Sequence, residues 1–532
     1  MPSTTSGTST TSGGGKTSGT STTSGGKTSS SSSGKTSSSS SSSSKTSSTT
    51  SGGGDPGAKK KLNYDYNDYV QNNAYALSNC PTVGTANVLI IPIWFTDSTS
   101  YIKSSKKATV RSDIEKAYLG TNDSTGWRSV KSYYEELSQG KLSLTGTVAD
   151  WYEPGDPSST YHTDGDATTK LVEEATNNYF STSGESRKSY DKNGDGYLDA
   201  VLLIYAAPDY GTAGTDNDNM WAYCYWLQNT GNKNVSNPGP NVFFWASYDF
   251  MYDSSSAATQ TGYSYGAGDT SNCNIDAHTY IHEMGHVLGL EDYYDYSGSY
   301  KPAGGFSMQD YNVGSHDPFS AMAYGYVDPY VPTETTTIDL KPFQGNNEVI
   351  LLSTHNGSVD SPFDEYILIE LYTPTGLNKF DTDNQYCGRY PQGPTSAGIR
   401  VWHVDARMTY YVSKTDSWST TLTTNPTKGN VYLAMSNTYY SSKAKDYCSV
   451  LGSGYYDYNI LQLIRNNKSA TYKPTDTLSS SSLFKAGDTF TMSGYASQFV
   501  NSGKMNNNTT LGWSFTVNSC SASGASITVT KG

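Results

Sequence analysis

The chain has 532 residues, of which 34% are hydrophobic and 13% aromatic, which is enough apolar material for two or three packed domains. Its formal net charge of -13 would repel phosphate backbones and anionic lipids, which argues against nucleic acid or a membrane surface as a partner. No apolar run reaches the length of a transmembrane helix, so we expect no membrane insertion. The sequence leaves the oligomeric state open.

The first part of the chain, residues 1–61, is predicted to be a disordered linker. It consists almost wholly of Ser, Thr, Gly and Lys, and it cannot bury enough apolar surface to offset the entropy of ordering. No secretory signal is visible near Met1. Composition and the motifs below nevertheless favour an exported protein, either secreted or at the cell surface.

Order is predicted to begin after residue 61, and helices and strands alternate up to about residue 335. Residues 88–95 form a continuous apolar run, which predicts a buried strand. Helical segments are expected around residues 111–118 and 130–137, followed by a half-exposed strand at 141–148. Beyond residue 335 the strand candidates are short and lie at 349–352, 366–372, 399–403, 431–435, 512–517 and 527–530.

Residues 191–199 carry oxygen side chains at alternate positions, with Gly196 at the sixth, a pattern typical of a loop that wraps a hard cation. Leu202 stands where a sensor-type loop would have a bidentate Glu, so the segment resembles a shortened extracellular calcium loop. The alternative is a plain Asx turn. The predicted calcium ligands are Asp191, Asn193, Asp195, Tyr197 and Asp199.

His282 and His286 are four residues apart, so on a helix they project from one face and can hold one zinc ion. Asp276 can cap this helix and Gly289 can end it in a left-handed conformation. The chain reversal after Gly289 can bring Asp292 back as a third ligand, which leaves the fourth position open for water. Such an open position distinguishes a catalytic zinc site from a structural one.

Glu283 follows the first predicted ligand directly and is the candidate general base. It can take a proton from the attacking water and return it to the leaving amine. An accidental H-E-x-x-H in a chain of this composition is expected in about one case in a hundred. The motif therefore predicts a zinc hydrolase.

The segment from His282 to Asp292, H-E-x-x-H-x-x-G-x-x-D, resembles the signature of the immune inhibitor A-like family of bacterial secreted zinc metallopeptidases. Residues 132–142, 308–312 and 319–322 are similar to segments flanking that site, and the resemblance extends downstream through 365–370 and 398–405. It implies a metzincin-like zinc peptidase, with His282, His286 and Asp292 as ligands, Glu283 as base and proteins or peptides as substrates.

The resemblance implies an α+β fold, with a zincin or metzincin-like catalytic domain of mixed sheet and active-site helix at residues 62–335. A β-rich, sandwich-like domain at 336–475 and a small β segment at 476–532 are expected to follow. The family's tight turn departs here, because alignment on Tyr311 places Gln309 at the position of the turn Met, with Met308 one residue early. Tyr311 is a further candidate, as a stabiliser of the developing oxyanion.

Other residues and other functions compete with this interpretation. His278 forms a second i, i+4 pair with His282, but Asp292 completes the family spacing, so His278 is not expected to be a ligand. Cys80 is a possible zinc cap, although a core cysteine is expected more often. The alternative function is a calcium-stabilised cell-surface binding or adhesion module with a vestigial zinc site. A zinc hydrolase acting on a nonprotein amide is a third interpretation.

Overall fold

A computed structural model of the protein describes residues 57–62, 80–162, 165–210, 219–266, 273–355, 358–426, 431–437, 455 and 457–532. The predicted linker, 1–61, lies outside the described residues except for its last five. Within those five, Lys59 pairs with Tyr330 in an isolated β-bridge. Its Nζ lies 3.0 Å from Oε1 of Glu348.

The described residues form nine α-helices and sixteen strands. The helices are α1 Lys107–Leu119, α2 Asn122–Thr125, α3 Val130–Leu137, α4 Gly165–Ser183, α5 Ser254–Gln260, α6 His278–Val287, α7 Met308–Tyr311, α8 Pro318–Ala323 and α9 Lys379–Asp383. The strands are β1 Gly84–Ile93, β2 Leu142–Val148, β3 Val201–Tyr205, β4 Tyr223–Trp226, β5 Val242–Ser247, β6 Thr336–Leu340, β7 Val349–Ser353, β8 Glu365–Tyr372, β9 Gly398–Asp405, β10 Met408–Val412, β11 Ser417–Trp418, β12 Val431–Leu433, β13 Leu461–Ile464, β14 Thr489–Thr491, β15 Trp513–Ser521 and β16 Gly524–Lys531.

The first sheet has the strand order β2-β1-β3-β5-β4. Its first four strands are parallel, and β4 pairs antiparallel with β5 at the edge. Side chains of β1 alternate between two buried faces, with Val88 and Ile90 in one hydrophobic core and Leu89 and Ile91 in another. Since both faces are covered, the strand is apolar without interruption, as its sequence predicted.

Two four-stranded sheets follow, β13-β9-β8-β7 and β14-β15-β16-β6. Alternate residues of β8 divide between two cores, because Ile367 and Ile369 pack with Phe515 and Ile527 of the last sheet. The opposite face of β8, including Leu368, packs in the core that contains α6. The β13-β9-β8-β7 sheet therefore lies between the helical part of the molecule and the last sheet.

The last sheet joins distant parts of the chain, since β6 pairs antiparallel with β16 over residues 336–340 and 525–529. These strands lie in two segments, 336–475 and 476–532, that were predicted to be separate. A small sheet, β11-β10-β12, completes the described strands. Among the described residues, no helix is long and apolar enough to cross a bilayer.

Candidate metal centre

Helix α6, His278–Val287, carries the H-E-x-x-H motif and is buried almost along its whole length. The Asp276 carboxylate accepts a hydrogen bond from the backbone N–H of His278 at 2.9 Å, which satisfies one free donor of the first turn. The helix ends at Val287, and Gly289, two residues further on, has a φ of 102°, which few other residues would adopt. Leu290 N then donates to the Gly285 carbonyl at 3.1 Å, which turns the chain back.

This reversal brings three predicted ligands together. The Nε2 atoms of His282 and His286 lie 3.1 Å apart. Oδ1 of Asp292 lies 3.0 Å from the first and 3.2 Å from the second. Among the described residues, this trio is the one group of His, Cys, Asp and Glu side chains whose ligand atoms converge closely enough to hold a metal ion.

The surroundings fix the orientation of each side chain in the trio. Nδ1 of His282 donates to the Met308 carbonyl at 2.7 Å, and Nδ1 of His286 donates to the Leu290 carbonyl at 2.8 Å. A carbonyl only accepts, so the proton of each neutral ring must be on Nδ1 and the Nε2 lone pair faces Asp292. Metal-ligating histidines typically donate a hydrogen bond in this way from the ring nitrogen that does not face the metal.

The side chains of the trio shift one another's pKa values. Burial alone would lower the pKa of His286, but the Asp292 carboxylate outweighs it and raises the pKa to about 9. Burial would raise the pKa of Asp292, but the imidazoles, His286 first, hold it below its usual range. A metal ion competes with protons for these same atoms, so metal binding is expected to weaken at low pH.

Glu283 lies beside the trio, with 6% of its surface exposed. Its Oε2 is buried and accepts no hydrogen bond from the described residues. Burial raises the pKa of Glu283 above its usual range, although the imidazoles of His286 and His282 oppose the shift. A buried carboxylate with an unused oxygen next to ligand atoms is placed to exchange a proton with a bound molecule.

The turn beneath the trio uses Gln309 where the family's Met is expected. The Gln309 carboxamide packs under α6, and a Cβ added at Gly285 would lie 2.2 Å from Gln309 Oε1. Oε1 also lies 3.2 Å from Nε2 of His316, whose ring is fully buried. Burial lowers the pKa of His316 well below its usual value, so this ring is neutral and Nε2–H donates to Gln309. His316 is therefore part of the core and does not face a substrate.

Gly285→Ala is expected to displace the Gln309 carboxamide and to break its bond with His316. The loss of a buried hydrogen bond should lower the free energy of unfolding by about 1–3 kcal/mol, as measured by chemical denaturation. In a Gln309→Ala background the same Gly285→Ala change should cost much less, because the clashing atoms are gone. Equal costs in the two backgrounds would show that this contact is not what requires glycine.

A tyrosine missed as a site residue touches the trio directly. Tyr296 OH donates to Oδ2 of Asp292 at 2.6 Å, while Oδ1 is the atom that faces the two imidazoles. The sequence signal was present, since Tyr296 is the last residue of the aromatic stretch directly after Asp292. The predicted Tyr311 lies further along this cluster, with its ring centroid 6.1 Å from that of Tyr294. Its hydroxyl accepts from Lys301 Nζ at 3.4 Å.

The predicted calcium loop folds back on itself through its own side chains. Asp191 Oδ2 accepts from Gly196 N at 3.1 Å, and Asp195 Oδ1 accepts from Tyr197 N at 2.8 Å. Asn193 Oδ1 accepts from Asp195 N at 3.2 Å. Asp191 Oδ1 is buried and accepts no hydrogen bond from the described residues. The carboxylates of the loop do not converge as the His-His-Asp trio does, so calcium binding stays a prediction.

His278 does not join the trio. Its Nδ1 lies 2.6 Å from Asp276 Oδ1, and its Nε2 lies 3.1 Å from Asp381 Oδ1. The ring is fully buried and is stacked between Trp127, at 4.1 Å between centroids, and Tyr386, at 4.0 Å. Burial would lower the pKa of His278, but the carboxylates of Asp381 and Asp276 outweigh it and raise the pKa to about 10. The ring is therefore a buried cation.

Cys80 and His403 have no part in the metal centre. Cys80 is buried in the main hydrophobic core, and burial raises the pKa of its thiol well above the usual value. His403 is also buried, and its Nε2 lies 2.9 Å from Glu365 Oε1. The structure thus gives each a place in the core.

Comparison with known proteins adds a family to this geometry. Residues 111–316 match the catalytic domain of immune inhibitor A peptidase M6. The M6 segment, as we call residues 111–316, begins within α1 and contains the entire trio and Glu283, and its match confirms the resemblance inferred from the sequence. Because peptidase M6 is a metallopeptidase family, the match supports metallopeptidase activity for this chain.

One similar solved structure is metalloproteinase-II from Bacteroides fragilis, with 15% identity and a TM-score of 0.17. The similarity covers 43% of this chain and 51% of that chain, so the present chain spans about half the length of that protein. No curated protein matches the sequence.

Proposed function

We propose that the protein is a zinc-dependent metalloendopeptidase that hydrolyses peptide bonds in proteins. The observation that carries this proposal is the convergence of His282, His286 and Asp292, with the buried carboxylate of Glu283 beside them. A structural metal site needs ligands but no adjacent base, and this site has both. For the same reason the alternative, an adhesion module with a vestigial site, is not favoured.

The chemistry and spacing of the trio fit zinc. Two imidazole nitrogens and one carboxylate oxygen are among the ligands that zinc prefers, and three protein ligands leave a position open for a reactant. Ligands about 2.1 Å from a tetrahedral ion lie about 3.4 Å from one another. The separations of 3.0–3.2 Å between the three atoms are close to this value.

When bound, zinc would supply Lewis acidity and lower the pKa of a coordinated water to about 7. The protein contributes the remaining chemistry. Glu283 holds its carboxylate in a dry environment, where it takes a proton from the attacking water and delivers it to the leaving amine. Tyr296 holds Asp292, while the Met308 and Leu290 carbonyls hold the two imidazoles.

An extended peptide can be held by the edge of the first sheet. Strand β4 lies at that edge and packs against α6, and within the described residues it pairs with β5 alone. A strand edge offers backbone donors and acceptors to a substrate of any sequence, as in β-strand addition. This arrangement supports a protein or peptide substrate over a nonprotein amide.

Removal and return of the metal test the proposal. Protein treated with a strong chelator should lose hydrolysis of quenched fluorescent casein, and about one equivalent of zinc should restore it. The circular dichroism spectrum, recorded in parallel, shows whether loss of activity is simply loss of fold. Zinc-loaded protein that cleaves neither casein nor a diverse peptide library would contradict the proposal.

We also propose calcium as a structural ion at the loop formed by residues 191–199. Burial raises the pKa of Asp199 to about 8, and the neighbouring Asp191 and Asp195 carboxylates add to the shift. A divalent cation would relieve this crowding and would occupy Asp191 Oδ1.

If so, calcium at a hundredfold excess over its Kd should stabilise the fold by about 2.7 kcal/mol and raise Tm by several degrees in differential scanning calorimetry. An Asp191→Asn, Asp195→Asn variant should show no such rise. If the Tm of the wild-type protein does not change with calcium, the calcium site is contradicted and the loop is a plain Asx turn.

The remaining assignments belong to the same proposal. We infer a zincin-like catalytic domain over residues 62–335, followed by a β-rich domain at 336–475 and a small β segment at 476–532. Export to the cell surface or medium suits a protease of this composition. Tyr311 stays a proposed oxyanion stabiliser, and undiminished turnover in Tyr311→Phe would remove it.

A further inference from the structure

The structure contains an open groove with a cavity volume of about 590 Å³, and none of its lining residues belongs to the metal trio. A row of tyrosine rings connects the two. Tyr296, whose hydroxyl binds Asp292, has its ring centroid 5.1 Å from that of Tyr294, and Tyr294 in turn contacts Tyr311. Tyr311 lines the groove. A substrate residue held there is therefore within a few residues of the metal trio, since an extended chain advances ~3.3 Å per residue.

The groove is lined by two cations, and none of its lining residues is an acid. Lys301 Nζ lies 5.1 Å from the centroid of the Tyr311 ring, and the Arg389 guanidinium lies 5.4 Å from that of Tyr390. No carboxylate among the described residues lies within 4.0 Å of either cation. This is unusual in a chain with 49 acidic and 36 basic residues.

The acid behind the groove does not neutralise these charges. Asp310 is buried beneath Tyr311, and its Oδ2 accepts from Gly305 N at 2.6 Å. Burial raises the pKa of Asp310 to about 8, so the carboxyl is mostly neutral at pH 7. Lys301 and Arg389 thus leave a positive potential in the groove, next to donors such as the Ser479 hydroxyl.

We propose that this groove is a subsite for a carboxylate of the substrate, bound between Lys301 and Arg389. The inference rests on the proposed peptidase function. The guanidinium fork binds a carboxylate through two parallel hydrogen bonds, and the ammonium adds a point charge. The tyrosine faces hold both cations in place without neutralising them. The carboxylate is either an Asp or Glu side chain or the C-terminus of a peptide.

Paired peptides test the subsite with zinc-loaded, full-length protein. Quenched fluorescent peptides carry Glu or Gln at each position around the scissile bond, and every peptide is made with a free and an amidated C-terminus. We expect Glu to exceed Gln in kcat/KM by about tenfold or more at one position. A preference for the free over the amidated C-terminus would identify the terminal carboxylate as the ligand.

Variants that remove one or both cations show whether the preference for Glu over Gln depends on Lys301 and Arg389. Arg389→Gln and Lys301→Gln should each reduce the preference for Glu over Gln several-fold, and the double variant should abolish it. Lys188→Gln removes one exposed positive charge elsewhere and serves as the matched control. Wild-type protein without either preference, or a double variant that keeps it, would overturn the subsite.

Failure of the proposed peptidase function can be distinguished from failure of the carboxylate subsite. Zinc-loaded protein that cleaves no peptide refutes the proposed function, but the subsite is still tested by fluorescence polarisation with the same labelled peptides. Tighter binding of the Glu than of the Gln peptide, lost in the double variant, supports the carboxylate site. Equal binding overturns it.

Discussion

Glu283→Gln is expected to lower kcat for peptide hydrolysis by about 10²- to 10⁴-fold while leaving zinc content and fold intact. The amide has nearly the same shape as the carboxylate, so the packing around this buried side chain is kept. What changes is basicity, because an amide cannot take a proton from water at neutral pH. Since Glu283 is not one of the three converging ligands, metal affinity should change little.

The measurement combines casein hydrolysis with zinc analysis of the same samples. Glu115→Gln, which alters a carboxylate on the exposed side of α1, is the matched control and should retain full activity. A Glu283→Gln enzyme that binds zinc and still turns over at the wild-type rate would remove Glu283 as the base. Loss of both zinc and activity would instead show that Glu283 helps to hold the metal.

His278→Gln is expected to destabilise the protein by about 3–5 kcal/mol near neutral pH. The substitution removes the cation that lies between Asp276 and Asp381 and leaves two carboxylates buried without it. It also empties the space between the rings of Trp127 and Tyr386. Because Asp381 also accepts from Gly314 N at 2.6 Å, the damage should reach the segment behind the turn.

The effect should depend on pH in a definite direction. The pKa of His278 is about 10 in the folded protein, against about 6.5 in an unfolded chain. Protonation therefore stabilises the fold fully below pH 6.5, and this stabilisation is lost as the pH rises toward 10, by at most about 1.4 kcal/mol per pH unit. Urea denaturation of wild type and variant at pH 7 and 9.5 measures it.

The difference in stability between the two proteins should be smaller at the higher pH, where the loss of ring packing accounts for most of what remains. His355→Gln, at a half-exposed histidine, is the control and should show little difference at either pH. A cost for His278→Gln that is the same at both values would mean that the ring is not charged in the folded state.

Local patterns predicted much of the fold. The α3 helix has the predicted bounds, 130–137, since Ser129 caps its start and Gly140 soon follows. The β1 strand was visible because its two faces are both covered, and the apolar run is then unbroken. In contrast, α4, Gly165–Ser183, was not predicted, because its polar side chains outnumber the five that are buried.

The candidate site was likewise predicted in part from local sequence patterns. His282, Glu283, His286 and Asp292 follow from spacing on one helix and one turn. The roles of Gln309 and His278 do not, because their partners His316 and Asp381 come from elsewhere in the chain. The order of the strands in the last sheet could not be predicted from local patterns either, since β6 and β16 pair across almost 200 residues.

The loop that carries Asp292 and Lys301 is held from behind by the C-terminal part of the chain. Asn437 Nδ2 donates to the Tyr293 carbonyl at 2.9 Å, and Leu463 N donates to the Pro302 carbonyl at 2.9 Å. Lys301 N donates to the Pro474 carbonyl at 2.7 Å. A truncation after the M6 segment would remove the partners of all three hydrogen bonds, so the position of the third proposed metal ligand depends on residues far along the chain from the motif that contains it.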